Sequence, residues 1–129
     1  MNNGSFMAVV MTVELFVAVC LPVFAHHGKA NYDVQHPITL SGTVTAYEFL
    51  NPHVLIRFDV ADAKGATSKW VAEGDPPQKL YRAGWKRDSL KPGDQVTITG
   101  PPDMAGQHIL VLQKLVGPGG TILAPAPDL

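Results

Sequence analysis

Between Glu48 and Val60 the chain turns once and then alternates. Val54, Ile56, Phe58 and Val60 interleave with Leu55, Arg57 and Asp59, the period of two that a half-buried strand requires. Asn51-Pro52 in front supplies the turn: the proline ring fixes φ and pushes the residue before it out of the helical region. His53 therefore stands at the mouth of a turn and at the first position of a strand, where a side chain can leave the core. The rest of the chain reads as scaffold around that rim, or as a tail able to reach it.

Composition sets the scale of that scaffold. The 129 residues hold 11 Pro and 12 Gly, which mark many turns rather than long helices, and one domain plus a leader fits the length. Lys and Arg total 10 against 11 acidic residues. Taking away Glu14, the one charge in the leader, leaves 10 acidic groups against 10 basic ones. A neutral domain lacks the basic footprint that nucleic acid needs, so no nucleic-acid partner is expected. Cys20 lies in the leader, so the domain is expected to carry no disulfide or thiol chemistry.

Residues 1–25 read as an export signal. The run from Phe6 to Phe24 is apolar apart from Thr12, Glu14 and Pro22, and Val23-Phe24-Ala25 offers small residues at the −3 and −1 positions of a cleavage site. No Lys or Arg precedes the run and Glu14 interrupts it, which leaves a membrane anchor as the alternative. A membrane association is expected only if the leader stays uncleaved. Periplasmic export is the expectation for a cleaved one.

After the leader come a polar arm, 26–37, a β domain, 38–123, and a flexible tail, 124–129. In the first strand Leu40, Val44 and Ala46 share one face while Thr39, Ser41, Thr43, Thr45 and Tyr47 take the other. Gly42 within it suggests a bulge or coil. Strands follow at 53–60 and 68–73, joined by a hairpin turn at Asp62-Ala63-Lys64-Gly65. Asp75 as N-cap, Pro76 at the first helical position, Gln78 to complete a capping box and Gly84 as the stop predict a short helix over 76–83. Trp85 is expected to plug the end beneath it. Strands follow at 95–100 and 108–116, the latter apolar on both faces and so expected to be central, with Thr121-Ile122-Leu123 a candidate short edge strand.

Three strands, a helix and two strands predict a mainly β fold: a small five-stranded OB-like barrel with one short helix between strands three and four. A split sandwich is the alternative. The expected common core is Leu40, Val44, Val54, Ile56, Phe58, Val96, Ile98 and Val111. In such a barrel the loops 50–52 and 101–107 flank the ligand face, and each is followed by a histidine, His53 and His108.

His26-His27, Tyr32-Asp33, Asn51-Pro52-His53, Glu73-Gly74, Pro76-Pro77 and the block Gly84-Trp85-Lys86-Arg87-Asp88-Ser89-Leu90-Lys91-Pro92-Gly93-Asp94 together resemble a family of small exported bacterial proteins classed as a domain of unknown function, number 6152. The likeness covers nearly the whole chain after the leader. It implies a bacterial, periplasmic, barrel-like domain and brings no activity with it. Family members carry Ser where this chain has Gly28, and a short charged turn where it has Pro101 to Gln107. His108 is thus particular to this sequence.

Cleavage after Ala25 would make His26 the N-terminal residue. Its amine and imidazole Nδ1 could then chelate one ion, and a further imidazole would complete the arrangement called a histidine brace, suited to Cu(II) or Zn(II). The candidate metal ligands are His26, His27, His53, Asp33 and His108. The competing reading is an exposed polar arm with His53 hydrogen-bonding its own turn. Tyr47, Phe49 and Asn51 are the expected ligand rim, because the alternation puts both rings on the outer face. A small molecule or a protein partner bound there is the second functional class. Nucleophile motif, phosphate loop and dinucleotide fingerprint are all missing from the sequence. An enzyme is therefore the third class, open only through a braced copper.

Overall fold

Strand β1 (Ile38–Glu48) organises the fold by pairing on both sides. The computed structural model describes residues 29–124. Among them β2 (Leu55–Ala61) and β3 (Thr67–Glu73) form an antiparallel hairpin beside β1. Its turn is closed as the sequence predicts. Asp62 Oδ1 accepts from the amides of Lys64 and Ala66, and Gly65 takes a φ of 83°. Helix α1 (Pro77–Arg82) follows β3, and β4 (Gln95–Gly100) returns to pair with β1 on its other side.

The last part of the chain departs from the expected single central strand over 108–116. It is broken at Leu112-Gln113 into β5 (Ile109–Val111) and β6 (Lys114–Val116), and β7 (Ile122–Leu123) lies beyond. The break has a physical cause, because the segment serves two different partners. β5 runs parallel to β3, whereas β6 runs antiparallel to β4. At the break itself the amide of Leu112 donates to Glu73 and that of Gln113 to Thr99. Gly100 permits the crossing: a Cβ there would stand 1.7 Å from the carbonyl oxygen of Val111. The described strands form one sheet of seven, in the order β5-β3-β2-β1-β4-β6-β7. This mainly β architecture with one short helix stands as expected; the count of five does not, and the sheet is not closed.

Two local expectations are corrected in β1. Gly42 is not the bulge; it is where β2 comes close, since a Cβ there would lie 2.3 Å from the carbonyl oxygen of Asp59. The bulge is at Thr45, where the register slips between Val44 and Ala46. That is the point at which β1 leaves β4: Val44 exchanges backbone hydrogen bonds with the turn at Gly93 and Asp94. One extra residue inverts the alternation beyond it. Tyr47 consequently lies opposite the buried Ile56 and packs against the core rather than facing outward.

The core gathers Val44, Val54, Ile56, Phe58, Val96 and Ile98 as expected, with Leu40 packed at its margin. Val111 does not join it. Its neighbours Leu110 and Leu112 do, a choice that a strand apolar on both faces leaves open. Trp85 is fully buried, as its expected role as a plug requires.

The helix closes differently at its two ends. Pro76, not Asp75, occupies the N-cap, and no side-chain hydrogen bond caps it there. Asp75 instead pairs with Lys79 at 3.2 Å, while its carbonyl accepts from Val54. At the C-terminus Gly84 takes a φ of 97°. The amide of Trp85 donates to Leu80 and that of Gly84 to Tyr81. This double closure is a Schellman motif, with buried Trp85 against buried Leu80 as its apolar contact.

Candidate functional site

The turn before β2 contains a cis peptide bond between Asn51 and Pro52. His53 follows it, half-buried, just before β2 begins at Leu55. Just past the strands β2 and β3 continue to hold each other, the amide of Gly74 donating to Val54 and that of Val54 to Asp75. This brings the carbonyl of Gly74 within 3.1 Å of His53 Nδ1. A carbonyl only accepts, so Nδ1 carries a proton. Nε2 is directed at Glu73, 3.7 Å from Oε1.

Glu73 has a second neighbour. The hydroxyl of Tyr32 donates to Oε2 at 3.4 Å. Tyr32 comes from the arm, which is fastened along the loop after β4. The amide of Asp33 donates to Pro102, that of Met104 donates to Asn31, and Tyr32 bridges to Asp103. Burial holds the Tyr32 phenol above its ordinary value; the charge and hydrogen bond of Glu73, and then the charge of Asp103, add to the rise. Tyr32, His53 and Glu73 thus meet at one place although 41 residues separate Tyr32 from Glu73. The sequence offered Glu73-Gly74 as a paired motif, but nothing in its spacing linked it to His53.

The other expected ligands are disposed elsewhere or lie outside the described residues. His26 and His27 belong to the latter group, as do the leader and the tail from 125 on. Asp33 turns to His36, with both carboxylate oxygens 3.0 Å from Nδ1 in an exposed turn. His108 is exposed and stacks on Trp70, ring centroids 4.7 Å apart and planes 15° from parallel. Among the described residues no three His, Cys, Asp or Glu side chains cluster in a way that could hold a metal.

Of the expected rim, Asn51 is exposed but Phe49 is buried, a correction to its outward placement. The rings of Tyr47 and Phe49 lie 5.8 Å apart, and the chain of 84–94 is tied to them from outside. Tyr47 donates to the carbonyl of Lys86 at 2.9 Å, and Arg87 to that of Phe49 at 3.4 Å. Burial pushes the Tyr47 phenol strongly upward; the Ser89 hydrogen bond opposes the rise and the charge of Asp88 adds to it. Further along, Asp94 takes the Lys91 amide on Oδ2 and its ammonium on Oδ1, and Gly93 has a φ of 93°. The most distinctive motif of the sequence thus fastens Tyr47 and Phe49 from outside.

Beside the turn, Phe49, Pro77, Gln78, Tyr81, Lys86 and Arg87 line an open hollow of about 420 Å³. Tyr81 is 67% exposed there and Leu50, next to Phe49, 57%. The profile of a family of unknown function, DUF6152, matches residues 14–111. No curated protein matches the chain.

Proposed function

The chain belongs to DUF6152, a family of unknown function, and from that premise we propose an exported periplasmic domain that binds one Cu(II) or Zn(II) ion at the His53 rim. The observation that carries the reading is the hydrogen bond from His53 Nδ1 to the Gly74 carbonyl. A ring whose Nδ1–H is held by a backbone carbonyl presents Nε2 as a ligand, the outer-sphere arrangement usual for metal-bound imidazole. The docked arm supports the rest. His26 lies six residues before Tyr32, and extended chain covers up to about 3.3–3.6 Å per residue. Cleavage after Ala25 would place its amine and Nδ1 within reach of His53, with His27 or water as a further ligand.

The scaffold in this proposal is an OB-like barrel opened at Leu112-Gln113. In its support, the helix falls between β3 and β4, and 109–116 pairs with β3 first and β4 next. Calorimetry on three proteins tests the function: the chain starting at His26, its His53→Ala variant, and a form with one residue added before His26. The first should bind one equivalent of Cu(II), and the other two should bind far more weakly. Equal binding by all three, or by none, refutes the site.

A second reading is favoured by the hollow at Phe49 and Tyr81, with Lys86 and Arg87 at its margin. There the domain would hold a small molecule or a segment of a protein partner without catalysis. His53→Ala would leave that binding intact.

A further inference from the structure

Resting on the second reading above, we infer that the hollow between Phe49 and Tyr81 is a binding site for a small aromatic carboxylate, its ring seated on Phe49, Pro77 and Tyr81 and its anionic head held by Arg87 and Lys86.

The hollow has the make-up of a site for one flat apolar body. The rings of Phe49, Pro77 and Tyr81 line it, and its volume of about 420 Å³ falls within the range of small-molecule sites. Phe49 is buried and packed beside Tyr47, whereas Tyr81 is largely exposed although its neighbour Leu80 is fully buried. A large exposed ring next to a buried one is apolar surface that folding leaves uncovered and that a ligand ring would cover. The lining comes from α1 and from turns: Phe49 lies just past the end of β1, and Lys86 and Arg87 lie past the end of α1. A peptide segment is commonly gripped along a sheet edge, and no strand residue lines this hollow. A single compact molecule fits it better.

Charge decides what that molecule carries. From Pro77 to Arg87 the chain holds Lys79, Arg82, Lys86 and Arg87 and no Asp or Glu. Lys79 pairs with Asp75. Among the described residues no ion pair joins Arg82, Lys86 or Arg87 to a carboxylate. Asp88, next in the chain, lines a different hollow with Lys91 and Asp94. Both cations at the hollow are held in place. Lys86 accepts the Tyr47 hydroxyl on its carbonyl and donates its amide to Ser89 Oγ at 2.8 Å. Arg87 Nη1 donates to the carbonyl of Phe49. A guanidinium has five N–H donors in a fixed fork, so one bond keeps the head at the wall while others serve a ligand. The uncompensated positive charge selects an anion, and the planar fork matches the two oxygens of a carboxylate.

The test uses the full chain and three probes: hydrocinnamate, its uncharged carboxamide, and an acidic peptide with one Phe among Glu residues. Backbone ¹H–¹⁵N signals follow binding and locate it. Hydrocinnamate should move the signals of Tyr81, Lys86 and Arg87 with a dissociation constant on the order of 1 mM, the scale of so small a ligand. The carboxamide should bind about tenfold more weakly. Raising NaCl from about 20 to about 300 mM should weaken the carboxylate alone. Lys86→Gln combined with Arg87→Gln should weaken hydrocinnamate about tenfold and leave the carboxamide within about twofold, whereas Tyr81→Ala should weaken both. Should the double variant fail to fold, the salt series and Lys86→Gln alone, which keeps the Arg87 bond to Phe49, are read for the same selective loss. If the carboxamide binds as tightly as the carboxylate, or salt has no effect, the carboxylate inference falls and the hollow stands as an apolar site. If only the peptide binds, the small-molecule inference falls and the occupant is a protein segment. If no probe binds, the inference and the second reading fall together.

Discussion

His53 and Glu73 face each other across 3.7 Å at the place where β2 and β3 stop pairing. The two are held by opposite devices: the imidazole by a backbone carbonyl, the carboxylate by a phenol from the arm. The arm is thus an integral part of the rim, because Tyr32 is buried in the same arrangement. The metal proposal is centred on this end of the β2–β3 hairpin, and the frame around it can be tested independently.

Phe58 is 1% exposed and lies opposite both Val44 and Trp70. Phe58→Ala removes a buried aromatic from the middle of the sheet and should destabilise the fold by roughly 3–5 kcal/mol. Urea unfolding measures it. A loss under about 1 kcal/mol, the range of exposed positions, would show that β2 presents its other face.

Gly42 makes a sharper test of the strand crossing. Because the added methyl would meet the carbonyl oxygen of Asp59 at 2.3 Å, a rigid backbone atom, Gly42→Ala should destabilise by about 1–3 kcal/mol, the usual range for overpacking. The same substitution at an exposed strand position would be close to neutral. A stabilised Gly42→Ala protein would contradict the close approach of β1 and β2.

How much of this was legible in advance depended on whether a residue's environment is local. The hairpin of β2 and β3 was readable because Asp62 and Gly65 carry the turn in their own chemistry, and β4 falls at 95–100 as the alternation predicts. The inward turn of Tyr47 was not readable. A bulge at Thr45 leaves no signature in side-chain type, yet it inverts every residue after it. Nor could Leu110 and Leu112 be chosen over Val111, since all are apolar and the chain switches partner between them. Glu73 escaped for another reason: its neighbours are Tyr32 and His53, which reach it only through the tertiary fold. Asp75 misled because a good cap residue can be diverted, here to Lys79.

Two groups give the fold opposite pH responses. Asp94 has its carboxyl lowered by hydrogen bonds from the Lys91 side chain and amide, against some burial. A lowered folded value means stability present above the ordinary carboxylate range and lost as pH falls through the folded value. Asp94→Asn should therefore flatten the acid limb of a thermal-stability profile. An unchanged acid limb would show that the Lys91–Asp94 clasp contributes nothing.

Tyr47 works at the other extreme. Its phenol is raised above 10.0, so its contribution is complete below the unfolded value and declines as pH rises beyond it. Tyr47→Phe should lower stability at neutral pH by about 0.5–1.5 kcal/mol for the lost hydrogen bond to Lys86, and should weaken the alkaline loss. If the alkaline limb is the same with and without the hydroxyl, Tyr47 is not held as described.

The proposed metal site is tested most directly by following the ring nitrogens of His53 by ¹⁵N nuclear magnetic resonance while Zn(II) is added to the chain beginning at His26. The account predicts that Nε2 moves to the metal-bound position as one equivalent is taken up, while Nδ1 keeps its proton on the Gly74 carbonyl. Ring signals of His53 that stay unmoved at saturating Zn(II), or an Nδ1 that loses its proton to the metal, would contradict it.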